Sequence, residues 1–314
     1  MACLPTEPIS GRKGATVAVE IGAELVRQLV DTQFPEWSAL PLRRWERAGS
    51  DHVIYRLGDR LAVRLPRGNW AAGQARKEHT WLPRLAPQLP LAVPAPVGLG
   101  EAALGYPWSW SVARWLGGEV VEPQRLADSE PTACDLAAFL TALQRLPSPD
   151  SFVTGPHPEL RRRTLADKDD QVRTSIAAVA RVFDADALSR VWERALAAPA
   201  WDSEPVWCHG DFHVGNLLMK RERVTAVLDF GGLGYGDPAC DLDIAFTLMT
   251  ARTRAVFRAA LGLDEAAWTR GRGWSLAGGV TAYAAYAATE PRVAAQTRRQ
   301  ITEVLAEDAA LELR

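Results

Sequence analysis

Residues 207–243 read W-C-H-G-D-F-H-V-G-N-L-L-M-K-R-E-R-V-T-A-V-L-D-F-G-G-L-G-Y-G-D-P-A-C-D-L-D, and the fold turns on this stretch. His209, Gly210 and Asp211 are followed by Asn216, giving H-x-D-x-x-x-x-N. Asp229-Phe230-Gly231 begins thirteen residues beyond Asn216. Between the two motifs, residues 216–219 and 224–228 are apolar runs around the charged turn 220–223. Two such runs around a short polar turn predict a β-hairpin. The hairpin would bring Asn216 and Asp229 together, one on each arm.

That arrangement has a chemical logic. Moving the γ-phosphoryl of a nucleotide requires a carboxylate at the acceptor hydroxyl and hard oxygen ligands for Mg²⁺. Asp211 is placed to orient the hydroxyl and take its proton, while Asn216 and Asp229 supply metal ligands. Each motif alone is loose. Together, at this spacing and each beside an apolar strand, they define a site.

The stretch resembles the catalytic core of the aminoglycoside phosphotransferase and choline kinase-like family, small-molecule kinases that share the protein-kinase fold. D-F-G-G-L-G-Y-G-D-P-A-C-D-L resembles the bacterial antibiotic phosphotransferase branch in particular. The resemblance implies an α+β, two-lobed fold. Residues 1–116 would form a nucleotide-binding lobe, an antiparallel sheet plus helix. A hinge would follow at 116–119, and residues 117–314 would form a mostly helical lobe for catalysis and acceptor binding. It further implies Mg²⁺, ATP or GTP as co-substrate, and a hydroxyl acceptor. An aminoglycoside or related antibiotic leads. A macrolide, or a metabolite such as a sugar, amino sugar or choline-like alcohol, stays open. The rival of another class is a pseudokinase, a nucleotide-binding module without turnover.

The bulk properties agree. A chain of 314 residues is long enough for two lobes with cores. The net charge of −2 gives no reason to expect a nucleic-acid partner. Through Leu116 there are 14 basic and 10 acidic residues, against 22 and 28 in the remainder. A basic first part suits phosphates, and an acidic second part suits a cationic acceptor. Cys3, Cys134, Cys208 and Cys240 show no metal-binding spacing, and no signal peptide is evident, so reduced thiols in a cytoplasm are expected. No segment is long and apolar enough to predict a membrane span. A homodimer is left open.

Taken in order, an amphipathic helix is expected with Ile21, Leu25, Val26 and Leu29 at helical spacing, then strands at 40–46, 52–57 and 61–65. The turn 49–52, with Ser50, sits where the family's phosphate-covering loop would be. Arg64 stands on the third strand where the kinase pattern has a lysine on the phosphates. Arginine keeps the charge with a different shape, and an ordinary solvated strand arginine is the alternative. Glu78, on a helix over 71–85, is the expected partner of Arg64. Strands at 97–101 and 108–115 lead to a hinge where the backbone of Arg114, Trp115 and Leu116 would meet the base.

Beyond the hinge, Ser129 and Pro131 mark a helix start, and Leu136, Phe139, Leu140, Leu143 and Leu146 form one core stripe. Helices are expected over 167–183, 185–197, 252–261, 264–288 and 291–313. Asp237-Pro238 should cap a helix containing Asp241, Leu242, Ala245 and Phe246. In the family, the aspartate matching Asp241 braces the catalytic loop. His209 and His213 lack a third metal ligand. His209 is read as structural, and His213 as facing the cleft.

Overall fold

A computed structural model describes residues 19–46 and 51–312. The order of elements is α1 Ala23–Gln33, β1 Leu42–Arg44, β2 His52–Leu57, β3 Leu61–Pro66, α2 Gln74–Leu85, β4 Pro96–Gly100 and β5 Trp110–Arg114. Next come β6 Glu119–Val120, α3 Pro123–Leu126, α4 Glu130–Gln144, α5 Asp169–Val179, α6 Ala185–Ala197 and β7 Val206–Cys208. The chain continues with β8 Leu217–Lys220, β9 Arg223–Val227, β10 Gly234–Gly236, α7 Asp243–Thr247, α8 Ala251–Leu261, α9 Glu265–Tyr286 and α10 Pro291–Glu312.

The first part is an antiparallel sheet in the order β1-β2-β3-β5-β4. β2 and β3 pair from His52↔Pro66 to Leu57↔Leu61, closing through Gly58, whose φ of 57° suits the residue without a Cβ. α1 lays Val26, Leu29 and Val30 against this sheet, and they share a core with Val53, Tyr55, Leu57, Val63, Leu65, Trp110 and Val112.

α2 belongs to a different core. Its buried face carries Trp81, Leu82 and Leu85, which fall in the same apolar cluster as Leu136, Phe139, Leu140 and Leu143 of α4, while the helix itself lies against β4 and β5. Pro83 lies two residues from the end of α2, so the i−4 bond it cannot make is lost close to where the helix stops. The chain also crosses early: Ala92 donates to Thr225 O at 3.1 Å and accepts from Val227 at 2.9 Å, both in β9. After β5 the chain becomes mostly helical, and the segment at Ala92, between α2 and β4, already bridges to β9.

The expected hairpin forms as β8 and β9, registered Leu217↔Val227 and Leu218↔Ala226. Its turn residues Arg221 and Glu222 have φ of 49° and 56°, both left-handed as a two-residue hairpin loop requires. Ser129 caps α4 by accepting from Thr132 N at 3.3 Å. One expectation needs correcting. Asp237 caps only a short 3₁₀ turn, Pro238–Asp241, and α7 starts separately at Asp243. The break lets Asp241 turn both carboxylate oxygens toward residues 209 and 210.

Candidate active site

The loop between β7 and β8 is built on two fixed points. Asp241, fully buried, accepts from His209 N at 2.7 Å and Gly210 N at 2.6 Å. His209 Nε2 donates to Leu228 O at 2.9 Å, while its Nδ1 accepts from Asp211 N at 3.2 Å. Burial lowers the pKa of His209, so the ring is a neutral strut between the loop and the hairpin end. Gly210 has φ +80°, and a Cβ there would lie 2.1 Å from Gly232 O.

Asp211 lines the main cleft. Asn216 Nδ2 donates to its Oδ2 at 3.0 Å and to its backbone O at 2.9 Å. Leu228 N donates to Asn216 O at 2.8 Å, so the hairpin sets Asn216 beside the start of the D-F-G turn. Asp229 itself is left-handed (φ 60°, ψ 76°), a conformation that costs a non-glycine residue free energy. Its Oδ1 accepts from Gly231 N at 3.3 Å.

Arg64 and Glu78 meet. Both are buried, and Arg64 Nη1 donates to Glu78 Oε2, while Arg64 Nη2 lies 3.6 Å from Asp229 Oδ1. Arg64 therefore joins β3, α2 and the D-F-G turn, and is not a solvated strand residue. Burial pushes the Glu78 carboxyl up, with Arg64 opposing the shift.

Arg114 ends β5 with Trp115 and Leu116 just beyond it, and none of the three is among the residues lining the Asp211 cleft. Arg114 N donates to Ala95 O at 3.2 Å and Trp115 N to Arg60 O at 2.8 Å, so two of these three amides are already engaged. The Trp115 ring packs edge-on to Trp45, with Arg56 above it. Ser50 lies outside the described residues.

His213 does not face the cleft. It is 1% exposed, beneath Asp211, with Nε2 3.6 Å from Asp211 Oδ2.

Two cations that the sequence reading gave no role hold the D-F-G turn. Lys77 Nζ donates to Gly231 O at 2.6 Å and Leu233 O at 3.0 Å. Arg162 Nη1 donates to Gly232 O at 2.7 Å. Burial, followed by the Arg162 charge, lowers the Lys77 pKa to about 8. Their acceptors are backbone carbonyls, 154 and 70 residues away in sequence, which no local pattern reveals.

The cleft encloses about 860 Å³. Its charged lining is Lys77, Arg161, Arg162, Arg163 and Lys168 against Glu159, Asp170, Asp211 and Asp243. One wall is the α9 face of Trp274, Ala277, Ala282, Ala285 and Tyr286. Lys168 lies over the Trp274 ring at 5.7 Å, where the Asp211 carboxylate acts on its charge. The acidic excess of the second part of the chain is therefore not concentrated in the cleft. The aromatics of α9 divide: Trp268 is core, and Trp274 and Tyr286 line the cleft.

Cys208, Cys240 and Asp241 gather within 4.8 Å of one another. The Asp241 oxygens are committed to amides and Arg162 carries its charge nearby, so this cluster suits thiols, not a cation. No helix among the described residues is long and apolar enough to cross a membrane.

A sheet-and-helix lobe over a helical one, with an aspartate loop and a D-F-G turn meeting at the hairpin between them, defines the kinase-like phosphotransferases. The chain matches the family model described as "Phosphotransferase enzyme family" over residues 45–274, and it belongs to that family. Its members are kinases, and the chain is an enzyme of that class. Solved structures share the fold. The GDP complex of wild-type aminoglycoside 2'-phosphotransferase-IIIa is 19% identical, with TM-score 0.67, covering 91% of this chain and 99% of that one. The macrolide 2'-phosphotransferase MphH from Brachybacterium faecium is 23% identical, with TM-score 0.58 and coverage of 88% and 97%. A macrolide 2'-phosphotransferase type I is 22% identical, with TM-score 0.61 and coverage of 88% and 96%. No curated protein matches the chain by sequence.

Proposed function

We propose that the protein moves the γ-phosphoryl of ATP or GTP to a hydroxyl of an antibiotic-type small molecule bound in the Asp211 cleft. The observation that carries this reading is the Asp211 carboxylate, held by Asn216 Nδ2 at 3.0 Å and lining a cleft large enough for such an acceptor. Asp211 orients the hydroxyl and takes its proton as the O–P bond forms. Arg64 lies on the phosphate side, tied to Glu78 and beside Asp229. The base would sit at residues 114–116, with Leu116 offering the amide not spent on Ala95 or Arg60.

The residues present fit a magnesium ion. Asn216 spends its amide nitrogen on Asp211, which leaves the amide oxygen for a metal, and Asp229 adds a carboxylate across the hairpin. Hard oxygen donors of this kind suit Mg²⁺, which would neutralise charge on the transferred group. This intact set supports turnover over a pseudokinase role.

The structures similar in fold include a GDP and kanamycin complex and macrolide phosphotransferases, so both antibiotic classes enter as acceptors. The cleft favours the amphipathic one. Lys168 and the arginines of residues 161–163 repel a polycation, and the Trp274–Tyr286 wall of α9 offers an apolar bed.

The test is nucleotide consumption with Mg-ATP and Mg-GTP against macrolides, aminoglycosides, peptide antibiotics and amino sugars, with Asp211→Ala as blank. Acceptor-dependent turnover that disappears in the variant is the expected result. Turnover unchanged in Asp211→Ala refutes the assignment.

A further inference from the structure

We infer that His213 is a positioning residue for the reaction: its Nε2–H, together with the Asn216 amide, fixes one oxygen of the Asp211 carboxylate. The inference rests on the phosphoryl-transfer reading above and adds a residue to it.

The argument begins with the tautomer. His213 Nδ1 accepts from the backbone N–H of Gly215 at 3.1 Å. A ring nitrogen that accepts an N–H presents its lone pair, so the proton of the neutral imidazole sits on Nε2. That nitrogen is buried and has no hydrogen-bond partner at bonding distance. Its carboxylate neighbour is Asp211 Oδ2, 3.6 Å away. A buried donor left unsatisfied is costly, and here it is aimed at the group that does the chemistry.

The same oxygen already accepts from Asn216 Nδ2 at 3.0 Å. Two donors from one loop thus converge on Oδ2, which turns the second oxygen toward the cleft that Asp211 lines. The ring cannot swing away. Val214 N donates to Thr247 Oγ1 at 3.3 Å, Gln296 of α10 stands 3.5 Å from Nδ1, and the side chain is enclosed. Catalytic hydrogen bonds are often long in unliganded enzymes and tighten in the loaded complex. A gap of 3.6 Å that closes on loading is such a bond. His213 does not itself take the hydroxyl proton, because the nitrogen facing Asp211 already carries one.

The roles of ring and donor separate by substitution. His213→Gln keeps an N–H donor of comparable reach, whereas His213→Leu keeps volume and removes the donor. Each is assayed with Mg-ATP and the acceptor found in the screen, or with water as acceptor where none is found. Thermal unfolding is measured alongside.

His213→Leu should lower kcat by about tenfold or more, the loss expected for one oriented hydrogen bond. The nucleotide KM should stay within about twofold, because only the hydroxyl-facing carboxylate is disturbed. His213→Gln should recover most of the rate. Wild-type kcat in His213→Leu overturns the inference, as does a folded His213→Gln as slow as the leucine variant, since a packing role would not track the donor. Should the leucine variant fail to fold, His213→Asn replaces it: a donor too short to reach should be slow where glutamine is not, and equal rates overturn the inference. Asp211→Asn runs in parallel. Turnover that survives Asp211→Asn sinks the phosphoryl-transfer reading itself, whatever the His213 variants do.

Discussion

Replacing Asp243 by asparagine should make the protein more stable, and increasingly so as pH rises. Asp243 Oδ1 accepts from Ser275 Oγ at 2.7 Å and Gln300 Nε2 at 2.8 Å. An asparagine oxygen can keep both bonds. What changes is the charge. Burial raises the Asp243 pKa to about 7, and the nearby Asp211 charge adds to the rise, while His213 and the two hydrogen bonds oppose it. The native state therefore holds the proton more tightly than the unfolded chain, where an aspartate titrates near about 4. The stability that this proton contributes is complete below about pH 4 and is lost as pH climbs toward about 7. Three pKa units correspond to about 4 kcal/mol. Asp243 lines the cleft, so solvent relieves part of the burial, and about 2 kcal/mol is the expected size.

The assay is urea unfolding of wild type and Asp243→Asn at pH 4.5, 6 and 8. The variant should match wild type at the lowest pH and gain about 2 kcal/mol by the highest, or a few degrees in Tm. A difference that is flat across this range refutes the reasoning. So does one that shrinks with pH, which would mean that the Asp243 carboxylate is ionised and held by His213.

Three further outcomes follow from the geometry. Asp241→Ala strips two buried amides of their acceptor and should cost about 2–6 kcal/mol in a denaturation experiment, at about 1–3 kcal/mol per unsatisfied group. Gly210→Ala places a methyl group against Gly232 O in a left-handed position; it should lower Tm and abolish turnover, with about 1–3 kcal/mol from backbone strain alone. Lys168→Glu reverses the cation above Trp274 and should lower the KM for aminoglycosides several-fold at low salt. That gain should fade as ionic strength rises.

The site was legible where chemistry is local in sequence. H-x-D-x-x-x-x-N and D-F-G flank one hairpin, so spacing alone brings Asn216 and Asp229 to its open end. The Arg64–Glu78 contact was legible through the resemblance, whose pattern sets a strand cation against a helical carboxylate, and the two side chains do meet. The holders of the D-F-G turn were not. Lys77 and Arg162 serve backbone carbonyls, and carbonyls carry no sequence signature. The charge of the cleft itself was not legible for a related reason. A net charge over 198 residues averages the cleft with outer surfaces, and acidic groups such as Glu303, Glu307 and Asp308 are spent on Arg254 and Arg194 of neighbouring helices. His213 was placed in the cleft by adjacency to Asp211, but the extended backbone at residue 213 (φ −134°, ψ 167°) turns its ring inward.

Adjacent residues on α2 divide the support of the D-F-G turn. Glu78 reaches Arg64, which lies beside the Asp229 carboxylate, and Lys77 reaches the carbonyls on the far side of that turn. Neighbours on a helix point about 100° apart, so one turn of α2 grips the D-F-G segment on two sides. The hydrophobic packing explains why α2 can do this. Trp81, Leu82 and Leu85 are part of the core of the helical lobe, not that of the sheet. α2 thus lies between the two, against β4 and β5 of the sheet while its apolar face joins the larger core, and Arg64 reaches it from β3. The Arg64–Glu78 pair is a seam between the two cores, both side chains buried. Opening the sheet away from α2 would strand a buried carboxylate, which is far more costly than breaking an exposed pair. The arginine at this position therefore does structural work that its bidentate, permanently charged head is suited to, holding sheet, helix and D-F-G turn in one register.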